Sequence, residues 1–196
     1  MKIPFELAGI ALAALLSENF ILVKCLGLGV REQALREPKD AFRTGYSLTL
    51  VMVVTALLGW LADNLILVRF SLTYLRTLVF TLLALSVVAG LRRVIRACLP
   101  ELSRRIDENL ASITTNCAAL GVVLLISQRG YGLGAALVFA LCGGIGATVV
   151  MVSYASLGEE VDMESCPKVF RGVPIRLITM GLMAMAMVGF YGLHLN

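Results

Sequence analysis

The sequence predicts an all-α integral membrane protein: six transmembrane helices in two inverted three-helix repeats, with helices one and four broken. Three observations carry this expectation. The chain is 59% hydrophobic and only 15% charged, with a mean hydropathy of +0.88, whereas a soluble domain carries roughly 25% charged residues. The charges collect between apolar runs long enough to cross a bilayer, which takes about 20 helical residues. Polar residues and glycines interrupt the first and fourth of those runs. The whole chain, 1–196, reads as one membrane domain with repeats at about 1–96 and 104–196.

The first run covers about Ile3 to Val23 and is interrupted by Glu18 and Asn19. It lacks an early basic cluster and a small-residue cleavage site, so it reads as a retained helix and not as a signal peptide. The second, Thr44 to Ala62, is uncharged throughout. The third is Phe70 to Leu91, with Arg76 near its start. The fourth, Leu110 to Gln128, has 19 residues without a formal charge. The fifth lies within Gly130 to Gly158, and the sixth runs from about Arg176 to the C-terminus. None alternates as a membrane-barrel strand does.

The connections differ in charge. Arg31 to Arg43 packs seven charges into 13 residues, and Arg92 to Glu108 carries eight around Pro100. Glu159 to Arg171 carries four acids and two bases. Asp63 to Arg69 and Ser127 to Tyr131 are short. Threaded through six spans, twelve of the 17 basic residues fall on one side and three on the other. The positive-inside rule puts the twelve in the cytoplasm and both termini outside. The net charge of +4 is therefore a topological signal and not a nucleic-acid one. The five cysteines have no paired spacing, which argues against a disulfide framework.

Phe70 and Phe170, Leu75 and Ile175, Arg76 and Arg176 match at a constant offset. Three spans per half is an odd number, so a duplicated half must enter the membrane in the opposite direction, and broken helices then meet near the midplane. The two breaks are SENFILVKCLGLG, Ser17 to Gly29, and ASITTNCAALG, Ala111 to Gly121. In the second, Ser112, Thr114, Thr115 and Asn116 crowd against Cys117. Such polar groups in hydrocarbon must face protein, water or a ligand. A soft thiol among them suits a metal or redox group. The plainer alternative is that the hydroxyls bond to their own helix, Asn116 bonds to a neighbour and Cys117 is small packing.

SENFILVKCLGLG, YLRTLVF, SITTNCAALGVVLL and FRGVPIRLITMGLMAMAMVGFYGL, in this order, resemble the A-subunit family of the Rnf complex. That complex is the ion-translocating ferredoxin:NAD oxidoreductase, and a close relative of the family is the E subunit of the sodium-translocating NADH:quinone reductase. The resemblance covers nearly the whole chain. It implies a membrane component of a bacterial inner-membrane translocase, paired with a homologous E-type subunit of opposite topology among other Rnf subunits. It implies a [2Fe-2S] cluster held between the pair, two thiolates from each, with electron transfer coupled to Na+ or H+ movement. Cys117 matches the second family cysteine, within TTNCA. The first family cysteine falls on Gly29, and this chain instead has Cys25, four residues and about 6 Å of helix earlier. Cys25 and Cys117 are the expected metal ligands. Gly27, Gly29, Asn116 and Gly121 are the residues expected to let backbone and amide groups approach the cofactor.

Other residues read more plainly. Lys24 and Glu18 flank the first break as candidates for ion handling or for snorkelling to the interface. Arg76 and Arg176 sit at a lip, read first as lipid-phosphate contacts and second as partners of a carboxylate. Cys98, Cys142 and Cys166 have no partner at useful spacing, and His194 is expected to be exposed. Gly143, Gly144 and Gly146 suggest a close helix contact. Two other function classes remain open from sequence, a stand-alone inverted-repeat transporter or channel and a structural helix bundle.

Overall fold

The computed structural model describes residues 9–17, 19–24, 38–67, 73–98, 117–160, 167 and 173–189. Every element among them is helical. A segment at 9–17 ends in the π-helical turn Ala13–Ser17. It is followed by α1 (Pro38–Ala62), α2 (Arg76–Cys98), α3 (Cys117–Arg129), α4 (Leu133–Glu160) and α5 (Val173–Val188). A π turn, Asp63–Leu67, extends α1, and a 3-10 turn, Thr73–Leu75, leads into α2. Two stretches, Pro38–Leu65 and Leu133–Leu157, are long and apolar enough to cross a membrane. At 28 and 25 residues they reach about 42 and 38 Å, against a hydrocarbon core of about 30 Å.

Local chemistry sets the element ends. Pro38 at the first position of α1 has the helical φ built in, and Asp40 in the first turn complements the helix dipole. Helix α2 runs further than the third apolar run suggests, carrying Arg92, Arg93 and Arg96 to Cys98. The basic connection thus begins inside a helix. Leu, Arg, Val and Ala favour its propagation through these basic residues. Between α3 and α4 the chain reverses at Gly130, with φ of +61°. Gly130 N–H donates to the Ser127 carbonyl and Tyr131 N–H to the Ile126 carbonyl, both at 3.3 Å. That pair of bonds is the glycine-terminated helix end that favours a left-handed residue.

The centre of the bundle is the crossing of α1 and α4. A Cβ added to Gly45 would lie 2.6 Å from Thr148, and one added to Gly144 would lie 2.6 Å from Thr49. Gly45 meets Thr148 while Thr49 meets Gly144, so the two helices run antiparallel. The glycines are 99 residues apart (144 − 45), as are the threonines, whose hydroxyl oxygens approach to 3.3 Å. Each threonine also donates to its own helix, to the carbonyls of Gly45 and Gly144 at 2.9 Å. A hydroxyl has one proton, so at most one of the two turns toward the other at a time. The polar side chains at this crossing therefore remain satisfied without water.

The contact face anticipated at Gly143, Gly144 and Gly146 is present. Gly143 admits Phe20, whose ring a Cβ would approach to 2.5 Å. Gly146 admits the Leu15 carbonyl and the Asn19 amide. Gly59 of α1 admits Val123 of α3. Around these contacts lie Leu48, Val51, Met52, Val122, Phe139 and Val150, all buried. Leu78, Leu82, Leu182 and Met185 face outward on α2 and α5, as lipid-facing or partner-facing residues of a membrane helix do.

Gly45→Ala and Gly144→Ala are each expected to destabilise the chain by about 1–3 kcal/mol through overpacking. Gly134→Ala, where a Cβ meets nothing within 4 Å, serves as the neutral control. Thermal unfolding in detergent measures all three. A Gly144→Ala chain that melts with the wild type would show that the crossing tolerates separation.

Candidate functional site

Two polar features interrupt the apolar bundle. The first is the end of the N-terminal helix, where the sequence places a break at Glu18 and Asn19. Asn19 is fully buried. Its side-chain oxygen accepts from the N–H groups of Ile21 and Leu22 at 3.1 and 3.5 Å. Its amide donates to the Leu15 carbonyl at 3.5 Å. Its own carbonyl accepts from Val23 and Lys24 at 3.0 and 3.2 Å. One side chain thus satisfies groups on both sides of the interruption, which removes the penalty of bare backbone in an apolar setting. Phe20, locked against Gly143 and edge-on to Phe139 at 5.8 Å, fixes the direction in which the chain leaves. Lys24 is exposed.

Cys117 is the first residue of α3 and is exposed. It forms no disulfide among the described residues. The 13 residues from Cys117 to Arg129 cover about 20 Å of helix. Gly121 follows one turn later and is partly buried. Cys25, Gly27, Gly29 and Asn116 lie outside the described residues, as do Glu18 and Cys166. Cys142 lies half-buried in α4, and Cys98 is the last residue of α2. No group of three or more His, Cys, Asp or Glu side chains converges among the described residues.

In the second polar feature only Arg76 was singled out by the sequence, as a residue at a lip. Asp63 stands at the end of α1, where one carboxylate oxygen accepts from Arg76 Nε at 3.1 Å and the other from the Ser127 hydroxyl at 2.7 Å. The side chains of Asp63 and Arg76 are 14% and 25% exposed. Trp60 adds a bond from its indole N–H to the Tyr131 carbonyl at 3.0 Å. Together these contacts tie the end of α1 to the start of α2 and to the α3–α4 turn, around a cavity of about 270 Å³. Arg76 is thus paired within its own chain, where a lipid phosphate is the first expectation from sequence. A signal for the pair exists: an uncharged span ends in an acid, and the next begins with a base 13 residues later.

Helices long enough to cross a bilayer, packed through glycines and carrying internally satisfied polar breaks, define a polytopic membrane protein. Residues 7–194 match the Rnf-Nqr family, described as "Rnf-Nqr subunit, membrane protein", and the chain belongs to that family. It is similar to proteins named as the A subunit of an ion-translocating oxidoreductase complex. The relative from Syntrophotalea carbinolica is 39% identical over 94% of this chain and 95% of its own length. The relative from Pectobacterium carotovorum is 39% identical over 96% and 97%, respectively. The relative from Shigella flexneri is 39% identical over 91% and 92%. The chain is a membrane subunit of an ion-translocating oxidoreductase complex of the Rnf type.

Asp63→Asn is expected to lower stability by about 1–3 kcal/mol, because it leaves Arg76 without its anion in a partly enclosed site. Asp40→Asn breaks the exposed 3.6 Å pair with Arg43 and is expected to cost no more than about 1 kcal/mol. Parallel thermal melts compare the two. Equal losses would place the Asp63 pair among the ordinary surface pairs.

Proposed function

We propose that the chain is the A-type membrane subunit of an Rnf complex in the bacterial inner membrane, contributing thiolates to an intramembrane [2Fe-2S] cluster. Its partner is a homologous E-type subunit of opposite topology, and the electron transfer is coupled to movement of Na+ or H+. The observation that carries this reading is Cys117, exposed on α3 directly after the polar run Ser112 to Asn116 and one turn ahead of Gly121. With Arg129 at the interface, Cys117 lies 12 residues away, about 18 Å along the axis, near mid-depth of a core of about 30 Å.

The donor chemistry fits. An iron–sulfur cluster of this type takes four cysteine thiolates. The chain offers Cys117 and, at the other break, Cys25 in place of a cysteine at Gly29. Two further thiolates must come from a partner chain. When bound, the cluster would accept and pass on single electrons. The chain's own part would be to hold its thiols beside the two polar segments and, through the apolar α1 and α4, to keep water away. Gly121, with Gly27 and Gly29, would leave room for backbone to approach, and Asn116 would add an amide next to the ligand.

The reciprocal α1–α4 contact supports the inverted plan, with six spans and breaks in the first and fourth. Two segments related by a two-fold axis make each contact twice with roles exchanged, as Gly45 with Thr148 and Gly144 with Thr49 do. A stand-alone transporter or channel would share that plan. Iron and acid-labile sulfide in the purified complex separate the two readings.

Cys117→Ser is expected to abolish or strongly perturb the electron paramagnetic resonance signal of the reduced complex, since a hydroxyl is a poor ligand for this iron. Cys25→Ser is expected to do the same. An unchanged signal in Cys25→Ser with loss in Cys117→Ser would make Cys25 packing, and no effect of either in an iron-free complex would end the redox reading. Topology is checked separately. A reporter active only in the cytoplasm is expected to be silent when fused after Asn196, and a strong signal would invert the assigned orientation.

A further inference from the structure

The cavity at the Trp60 end of the bundle holds a surplus of hydrogen-bond donors that the helix-joining contacts leave unused. Both Asp63 oxygens already accept a bond, one from Arg76 and the other from Ser127. The Trp60 indole N–H is committed to the Tyr131 carbonyl. The Arg76 guanidinium is not committed in the same way. It carries five N–H donors, and its contact with Asp63 runs through Nε alone. Among the described residues no acceptor meets its two Nη groups, and Arg76 lines the cavity. A carboxylate whose charge is already paired with a guanidinium makes a poor site for a second cation. A guanidinium fork with four donors left over calls for an acceptor.

We propose that this cavity is a phosphate-oxygen site, filled by the headgroup of an anionic phospholipid or by free phosphate. The Nη fork matches paired phosphate oxygens. About 270 Å³ accommodates a phosphate group with several waters, each of which takes about 30 Å³ in the liquid. Depth favours the lipid as the source. Trp60 and Tyr131 stand at the ends of the two membrane-length helices, the level at which aromatic side chains meet headgroups. Tyr74 lies fully exposed just ahead of Arg76. The Asp63 carboxylate cancels much of the Arg76 charge, so a ligand anchored by its own acyl chains gains over one that arrives from solution.

Trp60 is the chain's single tryptophan and lines the cavity, so its emission reports on the site directly. The full-length chain in maltoside micelles is titrated with phosphatidylglycerol, inorganic phosphate and diacylglycerol. Phosphatidylglycerol is expected to give a saturable change and diacylglycerol none. Inorganic phosphate reaching the same plateau at equal concentration would identify free phosphate as the source. Phosphate that needs a far higher concentration identifies the lipid. The double variant Asp63→Asn/Arg76→Gln removes both charges together and is expected to weaken phosphatidylglycerol binding about tenfold or more, the scale of a lost charge-assisted pair. Arg76→Lys keeps the charge without the fork and is expected to fall between the two. If the double variant fails to fold, Arg76→Lys carries the comparison. Wild-type titration by either variant, or an equal response to diacylglycerol, overturns the site.

Discussion

The structure depends on the approach of α1 and α4 at two glycine–threonine pairs. A bilayer gives helices no hydrophobic reason to associate, so they must gain from close packing and internal hydrogen bonds. Gly45 and Gly144 provide the closeness, since any side chain there would collide with Thr148 or Thr49. The threonines bring polarity into the crossing at no cost, because each hydroxyl already has a carbonyl in its own helix. The remaining elements lean on this pair. The broken N-terminal helix lies on the glycine face of α4, and α3 lies on α1 at Gly59.

The same constraint explains where the polar residues sit. A buried polar atom is tolerated when its partner is close in sequence or fixed by the packing. Asn19 meets that condition locally, by bonding to groups on both sides of its own break. Asp63 meets it across the fold, through Arg76 and Ser127 on two other helices. The first arrangement shapes the route of the chain as far as Lys24. The second holds three helix ends together and leaves an unfilled donor fork facing a cavity. In both, a membrane helix is interrupted only where protein replaces the missing water.

Much of the fold was legible as hydropathy. The all-helical class, the uncharged run of α1 and the apolar run of α4 follow from length and composition, because a membrane selects for little else. The interruption at Asn19 was legible because an amide and an acid have no place in an unbroken apolar helix. The helical course through Arg92 to Cys98 was not, since on charge these residues read as a loop, while their helix propensity carries the helix on. The Asp63 hub escapes a reading of the sequence for another reason. Asp63 and Ser127 lie 64 residues apart in chain segments that read as short connections, and no local pattern announces their meeting.

The sequence by itself determined that this is a membrane protein of the Rnf-Nqr family and that Cys117 follows a run of polar residues. Composition and the TTNCA and FRG segments are properties of consecutive residues and need no third dimension. Only the tertiary structure decided that Gly45 and Thr49 pair reciprocally with Thr148 and Gly144. Only it gave Arg76 to Asp63 and opened a cavity beside Trp60. These depend on which face of each helix turns toward which neighbour. In an all-apolar helix that choice falls to the smallest side chains and the few polar ones, and hydropathy scarcely registers it.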